Sequence, residues 1–191
     1  MRRLASALLA LALLPAASAH AQVEAVEPTF QLDRKGDVRG PLDIVRVAMS
    51  KRPNGSLRGE LTMRRAWEDA DVGDGSLCLR FYVKTDPSSQ APEYLACATL
   101  AADGTLAGRV LRNSARALPR TVGGAFVERP TARRVNFGFD PGLLRNPAEL
   151  RFSGESVWRG TRCPAVTACR DLAPDAPGAR KFRLRRESAS G

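Results

Sequence analysis

The sequence predicts an all-β, antiparallel fold. Short runs in which apolar and polar residues alternate recur along the chain, Gly, Pro, Asn and Asp punctuate them closely, and four cysteines follow an export-type leader. A period of two marks strands with one face in a core and one in water. Dense turn residues limit each strand's length, and an even cysteine count in an exported chain reads as disulfide staples.

The leader comes first. Arg2 and Arg3 form a basic start, Leu4 to Leu14 is an unbroken Leu/Ala/Ser run, Pro15 ends it, and Ala19-His20-Ala21 offers small residues to a signal peptidase. This predicts a signal peptide over residues 1–21 and an exported protein, periplasmic or extracellular. The run is shorter than the roughly 20 residues a membrane span needs, so no membrane span is expected. The Leu-Ala-Ser after the arginine pair reads as a Sec-type start rather than a twin-arginine one. Residues 22–186 are expected to form a single domain, with 187–191 a disordered tail.

The strands follow in order. Leu42 to Met49 precedes the turn Pro53-Asn54-Gly55. Leu57, Leu61 and Met63 then alternate with Arg58, Glu60, Thr62 and Arg64. Leu77, Leu79, Phe81 and Val83 alternate with Cys78, Arg80, Tyr82 and Lys84, and a loop over 86–92 leads into Glu93 to Leu100. Asp103-Gly104 turns the chain into Thr105 to Arg112. Over Arg109 to Leu118 a helix competes, since Leu111, Ala115 and Leu118 have helical spacing, but Gly108 and Asn113-Ser114 weigh against it. Ala125 and Val127 start another run ended by Pro130, and Val135, Phe137 and Phe139 make the next. Asp140 is placed to cap one helical turn at Pro141-Gly142-Leu143-Leu144. Leu150 to Trp158 and Phe182 with Leu184 complete the set. Eight or nine such strands predict an antiparallel β-sandwich, immunoglobulin-like or jelly-roll-like, in preference to a barrel.

The hairpin register sets Cys78 opposite Cys97, which predicts one disulfide; Cys163 and Cys169 are left to close a short loop.

The function classes excluded are informative. His20, the only histidine, leaves with the leader, so a mature Ser-His-Asp triad or Cys-His pair has no imidazole. The chain has no Gly-x-Ser-x-Gly, Ser-x-x-Lys or Cys-x-x-Cys, and no glycine motif for phosphates or dinucleotides. No catalytic residue is assigned. Glu60, Glu93 and Glu155 are carboxylates of the right type for glycoside hydrolysis, so a carboxylate-dependent envelope hydrolase stays open as an alternative.

Charge is uneven. The chain carries a formal +10, but residues 22–106 hold 11 basic and 13 acidic residues whereas 107–191 hold 17 and 7. Basic clusters lie at Arg109, Arg112, Arg116, Arg120, Arg129, Arg133 and Arg134, and at Arg180, Lys181, Arg183, Arg185 and Arg186. Arg109, Arg112, Arg133, Arg134, Arg183 and Arg185 are the candidate anion-binding set; a solvated strand face is the competing reading. Export argues against genomic nucleic acid. The aromatics of the basic half, Phe126, Phe137, Phe139, Phe152, Trp158 and Phe182, fall mostly at core-facing positions, which argues against single-strand stacking. Trp67 is expected to be buried.

Asp69, Asp71 and Asp74 lie in an acidic loop that resembles a calcium loop, although Gly73 and Arg80 replace two ligands of EF-hand spacing. Calcium is the one cofactor considered. Asp33, Asp37 and Asp43 would join Asp171 and Asp175 in a second oxygen-rich site if the chain ends meet.

The stretch from Asp33 through Gly40-Pro41-Leu42-Asp43-Ile44 to Val47, with Asp171-Leu172-Ala173-Pro174-Asp175, resembles elements of uncharacterised exported β-sandwich proteins of high-GC bacteria. Those are similar to the DOMON and carbohydrate-binding-module type of sandwich. The resemblance implies a sandwich and ligand binding over catalysis. Haem-binding relatives use Met and His; Met49 and Met63 are present without a mature histidine. The resulting expectation is an exported, non-catalytic module for an anionic polysaccharide or another envelope component. A protein-interaction or inhibitor domain is the remaining alternative.

Overall fold

The computed structural model describes residues 26–34, 38–84, 91–114, 117–160, 163, 168–175 and 178–184. The strands are β1 (Val26–Leu32), β2 (Ile44–Lys51), β3 (Leu57–Met63), β4 (Ser76–Tyr82), β5 (Tyr94–Leu100), β6 (Leu106–Ser114), β7 (Ala117–Thr131), β8 (Arg134–Phe139), β9 (Glu149–Trp158), β10 (Cys169–Ala173) and β11 (Arg180–Arg183). Two short 3-10 turns, Asp69–Asp71 and Pro141–Leu144, are the only helical elements among the described residues.

All pairings are antiparallel. Hydrogen bonds run in one path, β1-β2-β3-β8-β7-β6-β5-β4-β9-β10, with β11 joined to β9 beside β10. The 15-residue β7 links the two halves: its first part pairs with β6, its second with β8. Alternation decides which face is inside. In β3, Leu57, Gly59, Leu61 and Met63 are buried while Arg58, Glu60 and Thr62 are half-buried. The inner faces of the two halves pack on each other. A Cβ at Gly154 of β9 would lie 2.9 Å from Leu61 Cδ2 and from Val47 Cγ2, and one at Gly59 of β3 would lie 2.1 Å from Leu79 Cδ1. Phe81 and Phe139 meet from opposite halves with ring centroids 5.4 Å apart. The buried hydrophobics form one core cluster.

The two ends of the path meet at a polar seam. The Ile44 amide donates to Asp171 Oδ2 at 2.6 Å, and Ser156 Oγ donates to the Leu42 carbonyl at 2.6 Å. Gln31 Nε2 donates to the carbonyls of Phe152 and Ala173 at 3.3 and 3.2 Å. Side chains thus serve backbone groups where the ladder stops.

The strand count corrects the expected eight or nine: there are eleven. β1, β10 and the first half of β7 were not predicted. The connectivity also departs from the expected immunoglobulin-like or jelly-roll-like type: the runs β1-β2-β3, β8-β7-β6-β5-β4 and β9-β10 are joined through the non-consecutive neighbours β3-β8 and β4-β9. The competing helix over Arg109–Leu118 gives way to β6 and the start of β7. Asp140 caps its turn as expected, Oδ1 accepting from the Gly142 amide at 2.6 Å. Both tryptophans are buried, Trp67 and Trp158 alike. The leader, residues 1–21, and the tail, 187–191, lie outside the described residues.

Candidate anion-binding groove

Both predicted disulfides are formed. Cys78 and Cys97 are directly opposed on β4 and β5 and joined, and Cys163 is joined to Cys169 at the start of β10. No described cysteine is free.

The candidate arginines are dispersed rather than gathered into one patch. Arg109 is exposed on β6, opposite Cys97 and Gly124. Arg133 donates from Nε to the Met63 carbonyl at 2.9 Å. Arg134 lies 3.9 Å from Glu60, and Arg183 lies 3.3 Å from Glu149. Arg185 lies outside the described residues.

Arg112 is the exception. It pairs in register with Tyr94 on one side and Arg120 on the other, and it follows Val110 on the inward-facing row of β6. Where the apolar row runs out at the end of the fold, that row turns cationic. A groove of about 800 Å³ opens there, lined by Lys84, Glu93, Arg112, Leu118, Arg120 and Arg145 among others. They are placed by five different pieces of chain. Lys84 follows β4, Glu93 precedes β5, Arg112 ends β6, Leu118 and Arg120 start β7, and Arg145 closes the Pro141–Leu144 turn in the left-handed conformation (φ 66°).

Four cations therefore face one carboxylate, and that carboxylate is engaged. Glu93 Oε2 accepts from the Val83 amide at 3.0 Å, and Oε1 stands 4.0 Å from Lys84. Arg112, Arg120 and Arg145 have no ion pair among the described residues. Arg112 and Arg120 are moreover set directly opposite each other, an arrangement of like charges that works against sheet stability. Leu118, at 90% exposed, adds an apolar wall.

No family model, curated protein or solved structure matches this chain.

The remaining candidates are spoken for. Asp71 Oδ2 accepts from the Glu68 amide at 2.8 Å as part of a capping box, and Asp69 stands 3.1 Å from Arg129 Nε. Arg129 also donates to the Trp67 carbonyl and lies over the Trp67 ring at 5.2 Å. The acidic loop is thus pinned to β7, and Asp69, Asp71 and Asp74 form no metal-holding group among the described residues. The chain ends do meet: the Asp175 amide donates to Asp33 Oδ1 at 3.3 Å, and Asp43 lies 3.6 Å from Arg64. These acids join strands, Asp37 lies outside the described residues, and no group of three potential ligands is placed to hold a metal among the described residues. Of the hydrolase candidates, Glu60 is held by Arg46 and Arg134, and Glu155 by Arg80 and Arg170. Glu60, Glu93 and Glu155 sit on β3, before β5 and on β9, each with its own cation.

Lys84 and Arg145 were missed at the sequence level, and Arg120 was seen only as one of a cluster. The pairing of Arg112 with Arg120 was legible in principle as a hairpin about residues 113–117. The helical spacing of Leu111, Ala115 and Leu118 obscured it.

Proposed function

We infer that this chain is an exported, non-catalytic binding module for an acidic polysaccharide of the envelope or the extracellular matrix. The observation that carries the reading is the groove in which Arg112, Arg120 and Arg145 make no ion pair among the described residues. Cations held side by side on strands bind a polyanion with little reorganisation, and each guanidinium offers a fork that matches a carboxylate or sulfate. Two disulfides accord with an oxidising compartment, and no helix among the described residues is long and apolar enough to cross a membrane. The resemblance of the Gly40–Ile44 and Asp171–Asp175 segments to exported sandwich proteins points the same way.

The test is calorimetric titration with alginate, a polyuronate, at low salt. The wild-type chain is expected to bind, with affinity falling as salt rises because the contacts are screened. Arg112→Glu with Arg120→Glu is expected to weaken binding by about a hundredfold, the equivalent of two charge-assisted contacts. Absence of wild-type binding to alginate at low salt contradicts the reading.

A further inference from the structure

The Pro141–Leu144 turn separates the cationic groove from a second one. Arg145, just past the turn, lines the first; Asp140 and Pro141 line the second, together with Lys51, Arg52, Asn54, Ser56 and Phe126. Leu143 seats the turn on β7: a Cβ at Gly123 would lie 2.6 Å from its Cδ2. Both grooves therefore open at one end of the fold, where β2, β4, β6 and β8 finish and β3, β5, β7 and β9 begin.

Phe126 is the unusual residue there. It is 59% exposed although it lies within a strand. Its partner across β8 is Gly138, so no side chain covers the ring from that strand; a Cβ at Gly138 would come only to 3.7 Å from the Phe126 Cβ. Polar groups surround it. Asn54 Oδ1 accepts from the Ser56 amide and hydroxyl at 3.1 and 2.7 Å, and Asp140 is fixed by the Gly142 amide. Lys51 and Arg52 supply positive charge. A flat apolar ring amid fixed hydrogen-bonding groups and cations suits a ligand with an apolar face, a hydroxyl rim and negative charge. A pyranose ring of an acidic glycan has all three; a polyphosphate has only the charge.

We propose that Phe126 is the stacking platform of a second subsite, and that one acidic glycan chain crosses the Pro141–Leu144 turn to occupy both grooves. The proposal rests on the acidic-polysaccharide reading above and adds to it a sugar-ring requirement. Because the turn stands between the two grooves, a ligand that fills both spans more than one sugar residue.

The test compares wild type, Phe126→Ala and Phe126→Trp in titrations with alginate and with inorganic polyphosphate at the same low salt. Phe126→Ala is expected to lose about tenfold in affinity for alginate, the scale of one aromatic stacking contact, and nothing for polyphosphate; Phe126→Trp is expected to keep alginate binding. Thermal unfolding of the variants checks that the fold is intact. Unchanged alginate binding by Phe126→Ala overturns the platform while leaving the cationic groove standing. An equal loss for both polymers overturns it as well. If the wild type binds no alginate, the functional reading fails and the platform with it.

Discussion

Gly40 lies against the indole of buried Trp158 so closely that a Cβ there would stand 2.3 Å from the ring. Only glycine lets the chain pass. Gly40→Ala is expected to destabilise the fold by about 1–3 kcal/mol through overpacking, read from the midpoint of urea unfolding. Asp171, 2% exposed, caps the Ile44 amide at the seam. Asp171→Ala leaves that amide without its partner and is expected to cost about 1–3 kcal/mol in the same measurement. The groove arginines should behave oppositely. Replacing Arg120 by Ser relieves the repulsion from Arg112, so thermal stability is expected to hold or rise while alginate affinity falls. A drop in stability with no change in affinity would show that Arg120 serves the fold instead.

Among the elements, β11 is held to β9 by an exposed ionic clasp. Lys181 Nζ lies 3.0 Å and Arg183 Nε 3.3 Å from the two oxygens of Glu149. The Lys181 ammonium, with Arg183, holds the Glu149 carboxyl below the usual carboxylate range. A lowered folded-state value means that the clasp favours the paired strand above the unfolded value and is lost as pH falls through the folded one. The protection of β11 amides against exchange, corrected for the intrinsic rate, is therefore expected to fall in acid more than that of β4 amides, and Glu149→Gln should remove the difference. The Cys78–Cys97 bridge closes a longer loop than Cys163–Cys169, with separations of 19 and 6. Its removal is expected to cost the more of the two, about 3 kcal/mol by loop-closure entropy.

Elements were legible in the sequence where one face is buried. β3 buries alternate residues along its whole length, and in β4, β8 and β9 the apolar residues of one alternating row, Leu77, Leu79 and Phe81, Val135, Phe137 and Phe139, and Leu150, Phe152 and Trp158, are all buried. In β1, Phe30 and Leu32 are exposed at 50% and 67%, so its apolar residues mark no core face. Ala117 to Thr121 of β7 are all exposed and owe their strand conformation to pairing with β6. The Cys78–Cys97 bridge followed from register alone. The groove did not, because its four cations come from four separate segments that only the tertiary fold brings together.

At the scale of the whole molecule, the −2 and +10 balances of residues 22–106 and 107–191 do not translate into one basic face. Ion pairs with Glu60, Glu149, Glu155 and Asp69 absorb much of the excess on the strand surfaces. Among the described residues, Arg112, Arg120 and Arg145 make no ion pair and line one groove beside the Pro141–Leu144 turn. The most direct measurement of this account is mapping of backbone amide shifts by NMR as alginate oligosaccharide is added. The predicted result is a footprint confined to the end of the fold around that turn, centred on Lys84, Arg112, Arg120 and Arg145. A footprint centred on Arg109 or on Arg180–Arg183, or no footprint at all, would contradict it.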